Sequence, residues 1–135
     1  VPRIAVLGVG CRRGIGQQAM EEAFAALLAQ SGLCAEAFYK VCSIDLKRDE
    51  PGLRAFCAAH GFAFETFSAA QLAAVAGRFS SSGFVQSVTG VDNVCERSAV
   101  LGSGGTLYCK KQAGGGVTMA AAMAPFAPDW RWQDE

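Results

Sequence analysis

The sequence predicts an α/β fold, a three-layer sandwich whose mostly parallel sheet carries one antiparallel hairpin at its C-terminal end. Short apolar runs alternate with amphipathic stretches, and this strand–helix–strand order implies parallel strands joined by right-handed crossovers. The last two apolar runs are separated only by "AGGG", which is typical of a hairpin. The 135 residues are sufficient for one domain, residues 1–135, whose core needs no metal or disulfide.

The first half of the chain alternates strongly between strand and helix patterns. "RIAVLGV" (3–9) is a short apolar run and predicts a buried strand. Apolar residues at helical spacing over 15–32 predict a helix, and "AFYKVCSID" (37–45) predicts the second strand. The next helix begins near Pro51, because proline suits a first helical position, and ends at Gly61.

The middle of the chain adds a third strand and a short helix. "FAFETF" (62–67) predicts the strand, and "SAAQLAAVAG" (68–77) predicts a helix that opens with Ser68 and Gln71 in capping-box spacing. The stretch that follows, 78–90, is rich in serine and glycine, so we expect a functional loop there.

The last third of the chain predicts one helix and the hairpin. A helix is expected over 93–105, where Asn93 and Glu96 have the spacing of a second capping box. The runs 106–112 and 117–123 are the two strands of the hairpin.

Composition excludes several classes of protein. Twelve basic and twelve acidic residues cancel, which argues against a non-specific nucleic-acid binder. No apolar stretch approaches the ~20 residues of a membrane span, and no signal peptide is expected. Six cysteines without a C-x-x-C pair, together with a single histidine, indicate reduced thiols in a cytoplasmic protein that has no metal site and no cofactor.

The turn "LGVGCRRGIG" (7–16) is the first candidate site. Gly10, Gly14 and Gly16 match the G-x-x-x-G-x-G loop of short-chain dehydrogenases, and Asp45 ends the second strand, where a ribose-binding carboxylate would lie. Against a nucleotide-binding domain, the chain is about half the usual length of such enzymes. A nucleotide site is therefore the distant alternative.

An anion site explains this turn better than glycines alone. Arg12 and Arg13 lie at a helix N-terminus, where they disfavour the helix but reinforce its attraction for anions. The same surroundings are expected to lower the pKa of the Cys11 thiol, which makes it a candidate nucleophile. It lacks a base partner, because we interpret the lone His60, which precedes a helix-ending glycine, as structural.

Two further stretches add cations. "SIDLKRDEPG" (43–52) follows a strand, and "CKKQ" (109–112) lies in the hairpin. Each is compatible with a solvated surface. If they meet at one sheet edge, Lys47 and Lys110 join the two arginines around a cleft suited to a molecule with several carboxylates.

Four motifs in order carry a resemblance to a known family. They are "GVGCRRG", "SIDLKRDEPGL", "FVQSVTGVDNVCERSAVL" and "LYCKKQ" followed by "GGVTMAAA". Over residues 3 to 124 the chain resembles the cobalamin-biosynthesis family that comprises CobE and the C-terminal domain of CbiG, the cobalt-precorrin 5A hydrolase. The resemblance implies a role in building the corrin ring, whose precursors carry many acetate and propionate groups. The positions that match the family are Gly10, Cys11, Arg12, Arg13, Asp45, Lys47, Glu50, Phe84, Val85, Gly90, Glu96, Lys110 and Thr118.

The resemblance leaves two functions open. The first is a corrinoid-binding or carrier protein of the stand-alone CobE type, because the N-terminal region of CbiG has no counterpart here. The second is a hydrolase that opens a precorrin ring lactone with loss of acetaldehyde, in which Glu50 or Glu96 activates water and Arg12 stabilises the oxyanion. Other cobalamin-pathway enzymes are expected partners, and Trp130 and Trp132 could form a homodimer contact.

Overall fold

The computed structural model describes residues 4–75 and 93–124, which form a β-sheet with helices on both faces. The strands are β1 (Ala5–Cys11), β2 (Phe38–Ile44), β3 (Ala63–Phe67), β4 (Thr106–Gly114) and β5 (Val117–Met123). The helices are α1 (Gln17–Ser31), α2 (Pro51–His60), α3 (Ala69–Ala73) and α4 (Val94–Ser103), and short 3₁₀ turns cover Ala35–Ala37 and Asp45–Lys47.

Residues 4–75 and 93–124 form a sheet of five strands in the order β3-β2-β1-β5-β4. β1, β2 and β3 pair in parallel, whereas β5 runs antiparallel to both β1 and β4. The α/β class and the C-terminal hairpin are confirmed. Because β5 returns beside β1, parallel and antiparallel pairings are equal in number among the described strands, and the sheet is mixed.

Successive side chains of β1 point to opposite faces of the sheet, so they contact the two helical layers in turn. Ala5, Leu7 and Val9 are fully buried in the core that α1 and α2 cover, and Val6 belongs to the core on the other face. On that second face Gly8 leaves no room for a side chain, because a Cβ there would overlap the backbone of α4. Helix α4 therefore lies directly against the central strand.

Helix ends follow the predicted caps. The Ser68–Gln71 capping box is complete, since the Ser68 hydroxyl accepts from the Gln71 N–H at 3.1 Å and the Gln71 side chain accepts from the Ser68 N–H at 2.8 Å. This helix ends at Ala73, before the predicted end at Gly77. That glycine, the predicted loop 78–90 and the C-terminal tail lie outside the described residues.

Four of the six cysteines are buried, whereas Cys11 is partly buried and Cys34 is exposed. All six cysteines are unpaired thiols. His60 interacts with Glu21 at 2.8 Å and stacks on Phe62 with the ring centroids 5.1 Å apart, contacts that agree with a structural role. In the described part of the chain, no helix has the length and apolar character needed to cross a membrane.

Candidate functional site

A cleft opens at the sheet edge where β1 and β2 end. The β1–β2 pairing stops at Gly8 and Cys42, and beyond it the Ser43 hydroxyl donates to the Val9 carbonyl at 2.6 Å. Because β5 is antiparallel to β1, it begins at the same edge, and β4 ends there. A crevice at the carboxyl ends of parallel strands is the usual ligand position in open α/β sheets.

The cleft has a volume of about 670 Å³, which is within the range typical of small-molecule sites. The residues that line it are Gly10, Cys11, Arg12, Arg13, Ile44, Leu46, Lys47, Glu50, Asn93, Val94, Lys111, Ala113, Gly114, Gly116, Val117 and Thr118. Among the described residues, this lining comprises four cationic side chains and a single carboxylate. Seven of them were predicted from the sequence as site residues.

Two contacts hold the arginine turn between β1 and α1. The N–H of Gly14, at φ +80°, donates to Glu50 Oε1 at 3.0 Å, and the N–H of Arg12 donates to the Gly116 carbonyl at 3.0 Å. The Arg12 and Arg13 side chains are exposed. Within the described residues neither forms an ion pair, so both guanidinium groups are available to a ligand.

Thr118 and Gly10 close the floor of the cleft. The Thr118 hydroxyl donates to the Gly10 carbonyl at 3.2 Å. A Cβ at Gly10 would lie 2.7 Å from that hydroxyl oxygen, so a larger residue would have to displace the Thr118 side chain. The glycine therefore allows two paired strands to carry the threonine close to the cleft.

The connection from β2 to α2 forms one wall. Lys47 and Glu50 both line the cleft and are partly buried. Leu46, 66 % exposed, lies at the rim. Asp45, predicted at the site, is exposed and does not line the cleft.

Lys111 rather than Lys110 reaches the cleft. The pairing register of β4 with β5 shifts between Cys109 and Gln112, so this part of β4 holds one extra residue. Such a bulge changes which of two neighbouring side chains points to a given face. Lys110 is exposed and outside the cleft wall, and the structure therefore replaces it by its neighbour.

Glu96 lies behind the cleft and not in its wall. It is 0 % exposed, and its two oxygens accept from the Asn93 side-chain amide at 2.6 Å and from the Lys111 N–H at 2.7 Å. Asn93 also caps α4, since its side chain accepts from the Glu96 N–H. The predicted helix cap at Asn93 is therefore confirmed. Whereas the carboxylate of a standard capping box accepts from the backbone N–H of the cap residue, the Glu96 carboxylate accepts from the side-chain amide of Asn93.

The expected lowering of the Cys11 pKa is wrong. Burial raises the pKa of this thiol to about 11, and the Lys47 charge lowers it by less than burial raises it. The negative charge of nearby Glu50 contributes a smaller part of this rise. A protonated thiol is a poor nucleophile, so the raised pKa counts against Cys11 as the attacking group.

Some predicted positions lie outside the described residues, and some lining residues were not predicted. Phe84, Val85 and Gly90 belong to the first group, as do Trp130 and Trp132. Asn93, Lys111 and Gly116 were missed as site residues. The capping-box spacing, the pair of lysines and the run "AGGG" were the signals that could have found them.

The family model described as "Cobalamin synthesis G C-terminus" matches residues 5–122. This region contains all five strands up to the penultimate residue of β5, and every residue that lines the cleft.

Two curated relatives are named cobalt-precorrin-5A hydrolase. The protein from Priestia megaterium is 31 % identical over 126 residues, which are 93 % of this chain and 33 % of the relative. The protein from Salmonella typhimurium is 33 % identical over 124 residues, 92 % of this chain and 35 % of the relative. The chain thus spans about a third of the length of these relatives.

Solved structures share the fold. The crystal structure of CobE, described as a protein from the cobalamin (vitamin B12) biosynthetic pathway, superimposes with a TM-score of 0.85 at 27 % identity, covering 93 % of both chains. The cobalamin biosynthesis protein chiG from Agrobacterium tumefaciens gives a TM-score of 0.71 at 25 % identity, covering 91 % of this chain and 100 % of the other.

Proposed function

The chain belongs to the cobalamin synthesis G C-terminal family, and from that premise we propose that it binds a polycarboxylate corrin precursor in the cleft. The observation that carries this proposal is the excess of cations. Arg12, Arg13, Lys47 and Lys111 line the cleft, whereas Glu50 is the single carboxylate among its described lining residues.

The distribution of these cations suits a ligand with several separate carboxylates. The two arginines lie on the β1–α1 turn, Lys47 lies before α2 and Lys111 lies on β4, so the charges surround the cleft from three elements. Guanidinium groups bind carboxylates through two parallel hydrogen bonds, and ammonium groups bind them as point charges. A single small anion would leave most of these cations unpaired.

The remaining wall of the cleft is apolar. Ile44, Val94 and Val117 line it, and Leu46 extends it to the rim. A macrocycle presents a broad apolar face with charged groups at its periphery, and a cleft with an apolar wall and peripheral cations complements that shape. The dinucleotide alternative loses support, because Asp45, the expected ribose ligand, does not line the cleft.

The role proposed first is that of a corrinoid-binding or carrier protein of the CobE type. The thiol that lines the cleft, Cys11, is a weak nucleophile because burial raises its pKa to about 11, which favours binding over covalent catalysis by this residue. Transfer of the corrinoid to other cobalamin-pathway enzymes in the cytoplasm belongs to this proposal.

A second candidate is hydrolysis of a precorrin ring lactone. It is favoured by the position of Glu50, a carboxylate that lines the cleft, and by two relatives named cobalt-precorrin-5A hydrolase. In this reaction Glu50 would take a proton from water that attacks the lactone carbonyl, and Arg12 would stabilise the oxyanion.

Absorption titration with hydrogenobyrinic acid tests the proposed site. Arg12→Ala is expected to weaken binding about tenfold, because it removes a charge-assisted contact. Arg48→Ala is the matched control, since Arg48 is exposed and outside the cleft wall. Equal affinities for the two variants would contradict the assignment of the cleft.

A further inference from the structure

A buried carboxylate connects two lining residues of the cleft. Glu96 Oε1 accepts from the Asn93 side-chain amide at 2.6 Å, and Glu96 Oε2 accepts from the Lys111 backbone N–H at 2.7 Å. Asn93 caps α4 and Lys111 belongs to β4, so this side chain bridges a helix and a strand on two sides of the cleft.

The bridge ends at the irregular part of β4. One extra residue lies between Cys109 and Gln112, and Lys111 is in that bulge. A bulge disrupts the ladder locally and changes which of two neighbouring side chains points to a given face. The hydrogen bond from the Lys111 N–H to Glu96 holds the backbone in this irregular stretch.

A carboxylate suits this position better than an amide of the same shape. Its two oxygens face two donors, the Asn93 amide and the Lys111 N–H. A glutamine offers one oxygen and one NH₂ group, so on one side two donors would face each other. A buried polar group needs such hydrogen bonds in place of those it would form with water, so the Glu96 side chain depends on both partners.

We infer that Glu96 is a positioning residue that sets Lys111, and not Lys110, against a carboxylate of the bound ligand. This inference rests on the proposed function. The positioning role takes the place of the water activation that was expected of Glu96, because this side chain is 0 % exposed and does not line the cleft.

A double-mutant cycle with hydrogenobyrinic acid tests the inference. Glu96→Gln is expected to weaken binding about fivefold in the wild-type protein. In the Lys111→Ala protein the same change is expected to cost less than about twofold, because the side chain that it positions is gone. An equal loss in both backgrounds would overturn the inference.

Ser98→Ala is the matched control. Ser98 is 0 % exposed on the same helix, and its hydroxyl donates to the Cys42 carbonyl at 3.2 Å, away from the cleft wall. It is expected to lower thermal stability and leave the affinity unchanged. A loss of affinity equal to that of Glu96→Gln would show a general packing effect and overturn the inference.

Hydrogen exchange provides a second measurement that does not depend on the folding of Glu96→Gln. Ligand is expected to slow exchange of the backbone amide at position 111 in the wild type and not in Lys111→Ala. The same slowing in both proteins would overturn the inference. If Arg12→Ala also keeps full affinity, the proposed function has failed; if Arg12→Ala weakens binding, only the positioning role has failed.

Discussion

The carboxylate of Glu50 accepts a hydrogen bond from the backbone N–H of Gly14 at 3.0 Å. This bond ties the residue before α2 to the turn that carries Arg12 and Arg13. The close approach of the two segments is supported at Gly52, where a Cβ would overlap the backbone carbonyl of Ile15. The two charged loops of the cleft are therefore held as one unit, and Glu50 has a structural contact besides any chemical role.

Glu50→Gln separates binding from hydrolysis. Glutamine retains an oxygen that accepts from the Gly14 N–H, so the turn is expected to keep its geometry and the affinity for hydrogenobyrinic acid is expected to stay within about twofold. As a neutral amide it cannot take a proton from water. If the chain is a hydrolase, acetaldehyde release from a lactone-bearing precorrin is expected to fall by a factor of about 10² or more. Wild-type turnover in Glu50→Gln would remove Glu50 from the reaction.

Lys111→Ala and Lys110→Ala test which lysine faces the ligand. Both changes remove one positive charge from the same strand, but only Lys111 lines the cleft. Lys111→Ala is expected to weaken corrinoid binding about fivefold, whereas Lys110→Ala is expected to leave it unchanged. The measurement is a dissociation constant at constant ionic strength. A larger effect of Lys110→Ala would mean that the bulge in β4 has the other register.

The Cys11 thiol is expected to react slowly at neutral pH. Its pKa is raised to about 11 by burial, so the unreactive thiol form dominates at neutral pH. Alkylation of Cys11 by iodoacetamide should accelerate as the pH rises from 8 toward 11. Cys34, which is exposed, provides the comparison for access. The extent of alkylation is measured by peptide mass spectrometry. Faster alkylation of Cys11 than of Cys34 at pH 7 would contradict this account.

Gly8→Ala tests the contact between β1 and α4. A methyl group at this position would overlap the Cys95 carbonyl and approach Ala99, so the helix has to move away from the sheet. We expect a loss of about 2 kcal/mol in the free energy of unfolding, measured by urea denaturation. Gly114→Ala is the control, because a Cβ there meets nothing within 4 Å. Equal stability of the two variants would show that α4 does not lie against β1 as described.

The position of the cleft could be predicted from the sequence because it depends on strand order. The glycine–arginine turn follows β1 and Lys47 follows β2, and the ends of neighbouring parallel strands meet at one edge. Capping boxes are local in sequence, which is why the predicted cap at Ser68 is present with both of its hydrogen bonds.

The individual roles within the cleft depend on features that are not local. The bulge that exchanges Lys110 for Lys111 is a property of the pairing between β4 and β5. The pKa of Cys11 depends on burial, which raises it by more than the nearby Lys47 charge lowers it. The burial of this side chain could not be predicted from the sequence. Glu96 was expected in contact with substrate, and only the packing of α4 against β4 and the sheet shows that it is 0 % exposed.

The most direct test of the account is an absorption titration of the wild-type protein with hydrogenobyrinic acid and, in parallel, with its methyl ester. The account predicts a saturable shift of the macrocycle band with the acid, weakened by salt, and little binding of the ester, because the cations of the cleft bind carboxylates. A time-dependent conversion of an earlier precorrin to a new chromophore would favour the hydrolase. Equal binding of acid and ester, or no shift with either, would contradict the proposal that the cations of this cleft recognise a polycarboxylate corrin.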